Sequence, residues 1–280
     1  MKLINYFLNK NLPAQALSVA VMLILFPGCK KESEQTLPQR NWQLVWSDEF
    51  DGAAGTSPDA SKWTFDIGGG GWGNQELEYY TNDTKNASLD GNGSLLMTAR
   101  NEPFGGSPFT SARIKTQGLF SQAYGRIEAR IKTTAGPGIW PAFWMLGEDI
   151  DTNPWPACGE IDIMEQRGRA PYINNGSLHG PGYSGGSAIT KAYTLTNGRF
   201  DADYHIYAVE WSNESIDFFV DDYLYQRVTP ENLPGKWVYN KPFFLILNIA
   251  VGGTYVGFPT TGTSFPQSMV VDYVKVYKEQ

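Results

Sequence analysis

Charged and apolar residues alternate along Arg126-Ile127-Glu128-Ala129-Arg130-Ile131-Lys132, and again through Ala112-Arg113-Ile114-Lys115. A period of two puts the apolar set on one face of an extended chain and the charges on the other, the pattern of a half-buried antiparallel strand. Trp42 to Phe50 predicts a first strand, and Asp51 to Lys62, rich in Gly, Ala and Ser, a loop. Asn92-Gly93 is a turn signal before a strand from Ser94 to Arg100. Ile139 to Leu146 is an aromatic-rich strand, and Tyr204 to Trp211 and Ser215 to Val228 read as hairpins. Their turns fall at Ser212-Asn213-Glu214 and Asp221-Asp222. Phe243 to Val251 is nearly all apolar, as a central strand is, and Met269 to Tyr277 closes the set. No segment longer than a turn or two carries a 3.6-residue period. Many short strands spaced by turns predict an all-β, antiparallel sandwich.

Composition agrees: 30 Gly, 17 Pro and 14% aromatic residues suit a turn-rich all-β protein that handles sugars. The formal charge is −7, and Met1–Gly28, which holds Lys2 and Lys10 and no acid, leaves the remainder more acidic still. No basic stripe is present, which argues against a nucleic-acid partner. An acidic surface also disfavours a sulfated polymer and leaves a neutral polysaccharide as the better partner. Gly68-x-Gly70-x-x-Gly73 matches a dinucleotide fingerprint formally, but no strand–helix context surrounds it. Those glycines instead predict a loop that carries Trp72 and Asn74 to the mouth of a cleft.

Residues 1–28 have the form of a signal peptide, with an apolar run from Leu12 to Phe26. The run ends at Phe26-Pro27-Gly28-Cys29, which resembles a bacterial lipoprotein box. The expectation is export, lipidation at Cys29, a charged tether over residues 29–41, and one domain over 42–280. The anchor would be the only membrane contact, with the outer membrane of the cell envelope as destination. The other cysteine is Cys158, so a lipidated Cys29 leaves the domain without a disulfide. Cys158 has no evident His partner and is not expected to be a nucleophile.

The stretch Gly159-Glu160-Ile161-Asp162-Ile163-Met164-Glu165-Gln166 holds three carboxylates in six residues. On a strand, Glu160 and Asp162 share a face. Glu165, five residues from Glu160, would point the other way unless one extra residue, most simply Met164, forms a β-bulge. Clustered acids repel, so the arrangement is costly unless used. One chemistry that needs two carboxylates on one face is glycoside hydrolysis with retention of configuration. The plain alternative is a solvated strand edge. Trp140 and Trp144, four apart on an alternating segment, share a face and are either core or a stacking platform for sugar rings.

The order Glu-Ile-Asp-Ile-Met-Glu resembles the bulged E-x-D-x-x-E signature of glycoside hydrolase family 16. Gly125–Lys132, Gly138–Gly147, Gly71–Thr81, Phe243–Asn248 and Val271–Val274 are similar to its laminarinase branch, the endo-β-1,3-glucanases. These matches cover about residues 42–278 in the family's order. The resemblance implies a two-sheet jelly roll with a concave substrate groove. It implies Glu160 as nucleophile and Glu165 as acid/base, with Asp162 between them. It favours Trp140 and Trp144 as platform, with Trp155 and Trp72 as further aromatic candidates. His179, Asn74, Arg113 and Asn248 are candidates for sugar contacts. No catalytic cofactor is implied, but Glu49, Gly93 and Asp272 match places where a structural calcium is bound. A monomer acting on β-glucan is expected. Mixed-linkage glucan or agar as substrate, or a catalytically dead glucan-binding protein, are the alternatives.

Overall fold

The computed structural model describes Gln35, Leu37 and residues 39–280. The leader, the lipoprotein box with Cys29 and most of the tether lie outside the described residues. Leu37–Gln280 forms one unit. In chain order its strands are β1 (Trp42–Asp48), β2 (Thr64–Phe65), β3 (Glu78–Tyr80), β4 (Ala87–Leu89), β5 (Leu95–Ala99), β6 (Phe109–Ser111), β7 (Arg113–Lys115), β8 (Gly125–Lys132) and β9 (Ile139–Gly147). They continue with β10 (Glu160–Glu165), β11 (Ile173–His179), β12 (Ile189–Thr194), β13 (His205–Trp211), β14 (Ile216–Val220), β15 (Tyr223–Val228), β16 (Phe243–Val251) and β17 (Gln267–Glu279). Helix among the described residues is limited to two single 3-10 turns, Gly185–Ser187 and Pro230–Asn232.

Two antiparallel sheets face each other. One has the order β15-β14-β13-β8-β17-β5-β4, with β1 also on β17, and the other β12-β11-β10-β9-β16-β7-β2. A parallel pair, β3 and β6, stands apart. The alternating residues of β8 behave as their pattern demands: Ile127, Ala129 and Ile131 are fully buried. They meet Phe143 and Met145 of β9, Ile161 and Ile163 of β10 and Leu245, Leu247 and Ile249 of β16 in one core. Strand β16 is buried at every position, as its unbroken apolar run predicts.

One boundary shifts for a local reason, and one expected turn is found in place. Strand β1 stops at Asp48 because the backbone turns at Phe50, which has φ of 52°. The β14–β15 hairpin turns at Asp221 and Asp222, with φ of 49° and 63°, the left-handed pair that a tight hairpin requires. Strands β11 and β12 carry too little apolar alternation to be read from sequence. Ile173-Asn174-Asn175-Gly176-Ser177-Leu178-His179 is a strand because β10 and β12 pair with it on both sides. Gly176 is required there: a Cβ would stand 2.3 Å from the Tyr225 hydroxyl and 2.7 Å from the Phe218 ring.

Candidate active site

Strand β10 carries the bulge. Against β9, Asp162 pairs with Trp144 and Met164 with Phe143, so Ile163 has no partner there. Against β11, the register slips between Asp162 and Glu165. The extra residue on the β9 side is therefore Ile163 rather than Met164. Ile163 and Met164 are both fully buried among core residues. Two successive inward residues return Glu165 to the face of Glu160 and Asp162, which is how a bulge re-aims a side chain.

That face is furnished by the neighbouring strands. Trp140 of β9 donates its indole N–H to Glu165 Oε1 at 3.1 Å. Trp155, on the loop before β10, donates to Glu160 Oε2 at 2.8 Å. His179 of β11 sets Nε2 3.1 Å from Asp162 Oδ2 and 3.7 Å from Glu160 Oε1. Its Nδ1 accepts the Gly185 backbone N–H at 3.0 Å. That bond puts the proton of a neutral ring on Nε2, facing the carboxylates. Ligand atoms of Glu160, Asp162 and His179 lie within 4.8 Å of one another; in this tautomer the imidazole turns its N–H side toward the carboxylates.

A second cluster lies beside the triad, over β9, β16 and β7. The Arg113 guanidinium sits 4.9 Å from the Trp72 ring and 4.8 Å from the Trp144 ring, a cation–π sandwich. Asp66 pairs with Arg113 Nε at 2.8 Å and holds it there. Trp144 donates to Asn248 Oδ1 at 2.7 Å, and Asn248 donates to the Tyr80 hydroxyl at 3.1 Å. Tyr80 donates to Glu76, which also accepts from Asn74 at 3.0 Å. Asn248 is buried with both ends of its amide occupied, so it supports Trp144 from beneath. Gly68, Gly70 and Gly73 all have positive φ in the loop that delivers Trp72 and Asn74.

The model of glycosyl hydrolases family 16 matches residues 73–275. The chain belongs to that family. A β-glucanase from Rhodothermus marinus is 41% identical over 269 residues, covering 92% of this chain and 93% of the relative. The laminarinase catalytic domain from Thermotoga maritima superposes with a TM-score of 0.81 at 46% identity, covering 86% of this chain and 99% of that one. The laminarinase from Rhodothermus marinus gives 0.79 at 42% identity, over 87% and 100%.

The carboxyls of this family 16 chain hold protons far more tightly than exposed ones. Burial, then the negative charge of Asp162, pushes Glu160 up to about 8, against the pull of His179 and the Trp155 N–H. Burial and the charge of Glu160 raise Glu165 to about 7, opposed by His179, Tyr255 and Trp140. Asp162, 4% exposed, is also raised, by burial first and Glu165 second. Groups this close titrate as a set, and between its two steps the glutamate pair shares a single proton.

Tyr255 was not legible as a site residue. It follows β16 in a loop, its ring 4.9 Å from that of Trp140 and 4.2 Å from the Arg167 guanidinium. Asn175, whose side chain donates to the Glu165 carbonyl at 3.3 Å, was hidden inside the unrecognised β11. Cys158 is free and fully buried, its thiol pushed up to about 11 by burial, which keeps it from acting as a nucleophile.

At the calcium candidates, the Glu49 carboxylate lies on Lys275 at 3.1 Å and Asp272 on Arg130 at 2.7 Å. Gly93 opens a small cradle. A Cβ on it would lie 3.7 Å from Asp51 Oδ1 and 3.8 Å from the Glu49 carbonyl. These are two oxygens of the kind a hard cation takes, and the Glu49 carboxylate is engaged by Lys275 instead.

Proposed function

We propose that this family 16 hydrolase is a retaining endo-β-1,3-glucanase acting on laminarin-type glucan. The observation that carries the reading is the bulge that returns Glu165 to the face of Glu160, each held by an indole N–H. The relatives named for laminarin hydrolysis support the substrate.

In the first step a Glu160 oxygen attacks the anomeric carbon while the glycosidic C–O bond breaks, and Glu165 gives its proton to the leaving oxygen. In the second, Glu165 takes a proton from water, the water oxygen attacks the same carbon, and the ester bond to Glu160 breaks. Asp162 lies between the two glutamates and raises Glu160 by its charge, while His179 lowers both, so these neighbours set how tightly the pair holds its shared proton. The Trp72–Arg113–Trp144 cluster offers flat aromatic faces and a cation to sugar rings and hydroxyls.

Product analysis on laminarin, lichenan and agarose tests the substrate; β-anomers as the first products from laminarin are expected. Glu160→Ala should lose activity and regain it with azide as the α-glycosyl azide. Rescue as the β-azide would exchange the two roles.

The same reading includes a monomer, and a lipid on Cys29 with attachment to the outer membrane; the leader's pattern supports the last two. Labelled fatty acid should enter the wild type and not Cys29→Ser. It also includes a structural calcium at Gly93, supported by the oxygen cradle. Chelation should then lower Tm, and added calcium restore it.

A further inference from the structure

Trp155 is 45% exposed, an unusual place for so large an apolar side chain. Its loop is nevertheless well tied. Asn153 donates to the Ala157 carbonyl at 3.0 Å, and Gly159 N–H to the Pro156 carbonyl at 3.1 Å. Lys241 pairs with Asp149 at 2.6 Å at the start of the loop. One edge of the indole is thus fixed over the active strand, its ring 6.1 Å from that of His179. The N–H points inward to Glu160 Oε2 at 2.8 Å, within the range of a charge-assisted hydrogen bond. The other oxygen, Oε1, is 3.7 Å from His179 Nε2.

We propose that Trp155 is a positioning residue for the attacking carboxylate: its indole N–H fixes Oε2 of Glu160 and leaves Oε1 as the oxygen that meets the anomeric carbon. The proposal rests on the assignment of Glu160 as nucleophile. A carboxylate that rotates freely about its last torsion presents the attacking oxygen in a broad range of directions. Tethering one oxygen narrows that range and favours the ionised form. A sugar resting over the exposed ring would strip water from the bond and strengthen it when attack is due. Trp155 would then act in the chemical step as well as in binding.

Trp155→Phe keeps an aromatic ring and removes the donor; Trp155→Ala removes both. An aryl β-glycoside of a laminari-oligosaccharide with a good leaving group makes little demand on the acid, so its rate reports on the attack. The phenylalanine variant should lose about tenfold or more in kcat, the order of one charge-assisted hydrogen bond, with KM changed less than about twofold. The acidic limb of its pH profile should move upward. The alanine variant should show the same loss in kcat and a raised KM. An unchanged kcat and limb in the phenylalanine variant, with only KM raised, would reduce Trp155 to a platform and overturn the proposal. A second measurement needs no change at Trp155 in the molecule observed: the indole 1H–15N resonance of Trp155 in the wild type should move as Glu160 titrates, and stay still in Glu160→Gln. A resonance indifferent to pH in the wild type also overturns the proposal. Absence of turnover by wild-type enzyme on both laminarin and the aryl glycoside would instead sink the functional reading, and the indole titration would still report the tether.

Discussion

Glu160, Asp162 and Glu165 share one face of β10, and burial is the first cause of the rise in all three. The folded form therefore binds more protons than the unfolded chain between the usual carboxyl value of 4.5 and about 8. Stability falls as pH rises through that window, and the full cost is present above it. Glu160→Gln should raise Tm at about pH 9 by about 3 °C or more, with a smaller gain at about pH 4; calorimetry at both pH values checks it. Activity follows the same groups with a different sign on each side. Below the acidic limb the pair holds two protons and offers no nucleophile; above the alkaline limb it holds none and offers no acid. A narrow bell in kcat/KM between those limbs is expected. Asp162→Asn removes a charge that raises Glu160 and should move one limb downward.

At the scale of the element, the active strand depends on one extra residue. The sequence shows that a bulge is needed, because five-residue spacing cannot put both glutamates on one face of a regular strand. Which residue is extra depends on the partner strands: Ile163 is unpaired against β9, while against β11 the slip spans Ile163 and Met164. Deleting Met164 leaves an even spacing between the glutamates. It should give a folded enzyme with lower activity on laminarin and altered product lengths, measured by circular dichroism and chromatography of products. A one-residue slip that is not absorbed would turn later side chains over. Gly168 stands where that slip must be absorbed, and a Cβ on it would come within 2.4 Å of the Gly136 carbonyl. Gly168→Ala should therefore lower the urea midpoint, by about 1–3 kcal/mol of stability. Strand β11 marks the limit of pattern reading. Asn174, Ser177 and Gly176 are buried there with almost no apolar signal, because pairing on both edges satisfies their backbone.

Across the whole molecule the two sheets divide the work. The sheet of β9, β10, β11 and β16 carries the site, and the sheet of β8, β13 and β17 backs it through the shared core. Arg126 binds the backing sheet together, reaching Glu128 at 2.7 Å, Glu210 at 3.1 Å and Asp222 at 2.7 Å. Glu128 is only 7% exposed. Arg126→Ala leaves that carboxylate buried without its cation and should cost about 3–5 kcal/mol. A fall in Tm on the order of 10 °C, with KM for laminarin unchanged, is expected from a thermal melt and initial rates at low temperature.

By itself the sequence determined the strands whose apolar residues alternate or run unbroken, the sandwich they form, and the three carboxylates with their need for a bulge. These are local properties: side-chain period and charge spacing act within a few residues. Tertiary structure decided which residue bulges and which indole meets which glutamate. It also decided that Asn248 supports Trp144 from below, and that Tyr255 stands against Trp140. The partners in those contacts lie up to 115 residues apart in the chain, as Trp140 and Tyr255 do. Contacts of that kind leave no periodic trace in either segment and exist only once the sheets have paired.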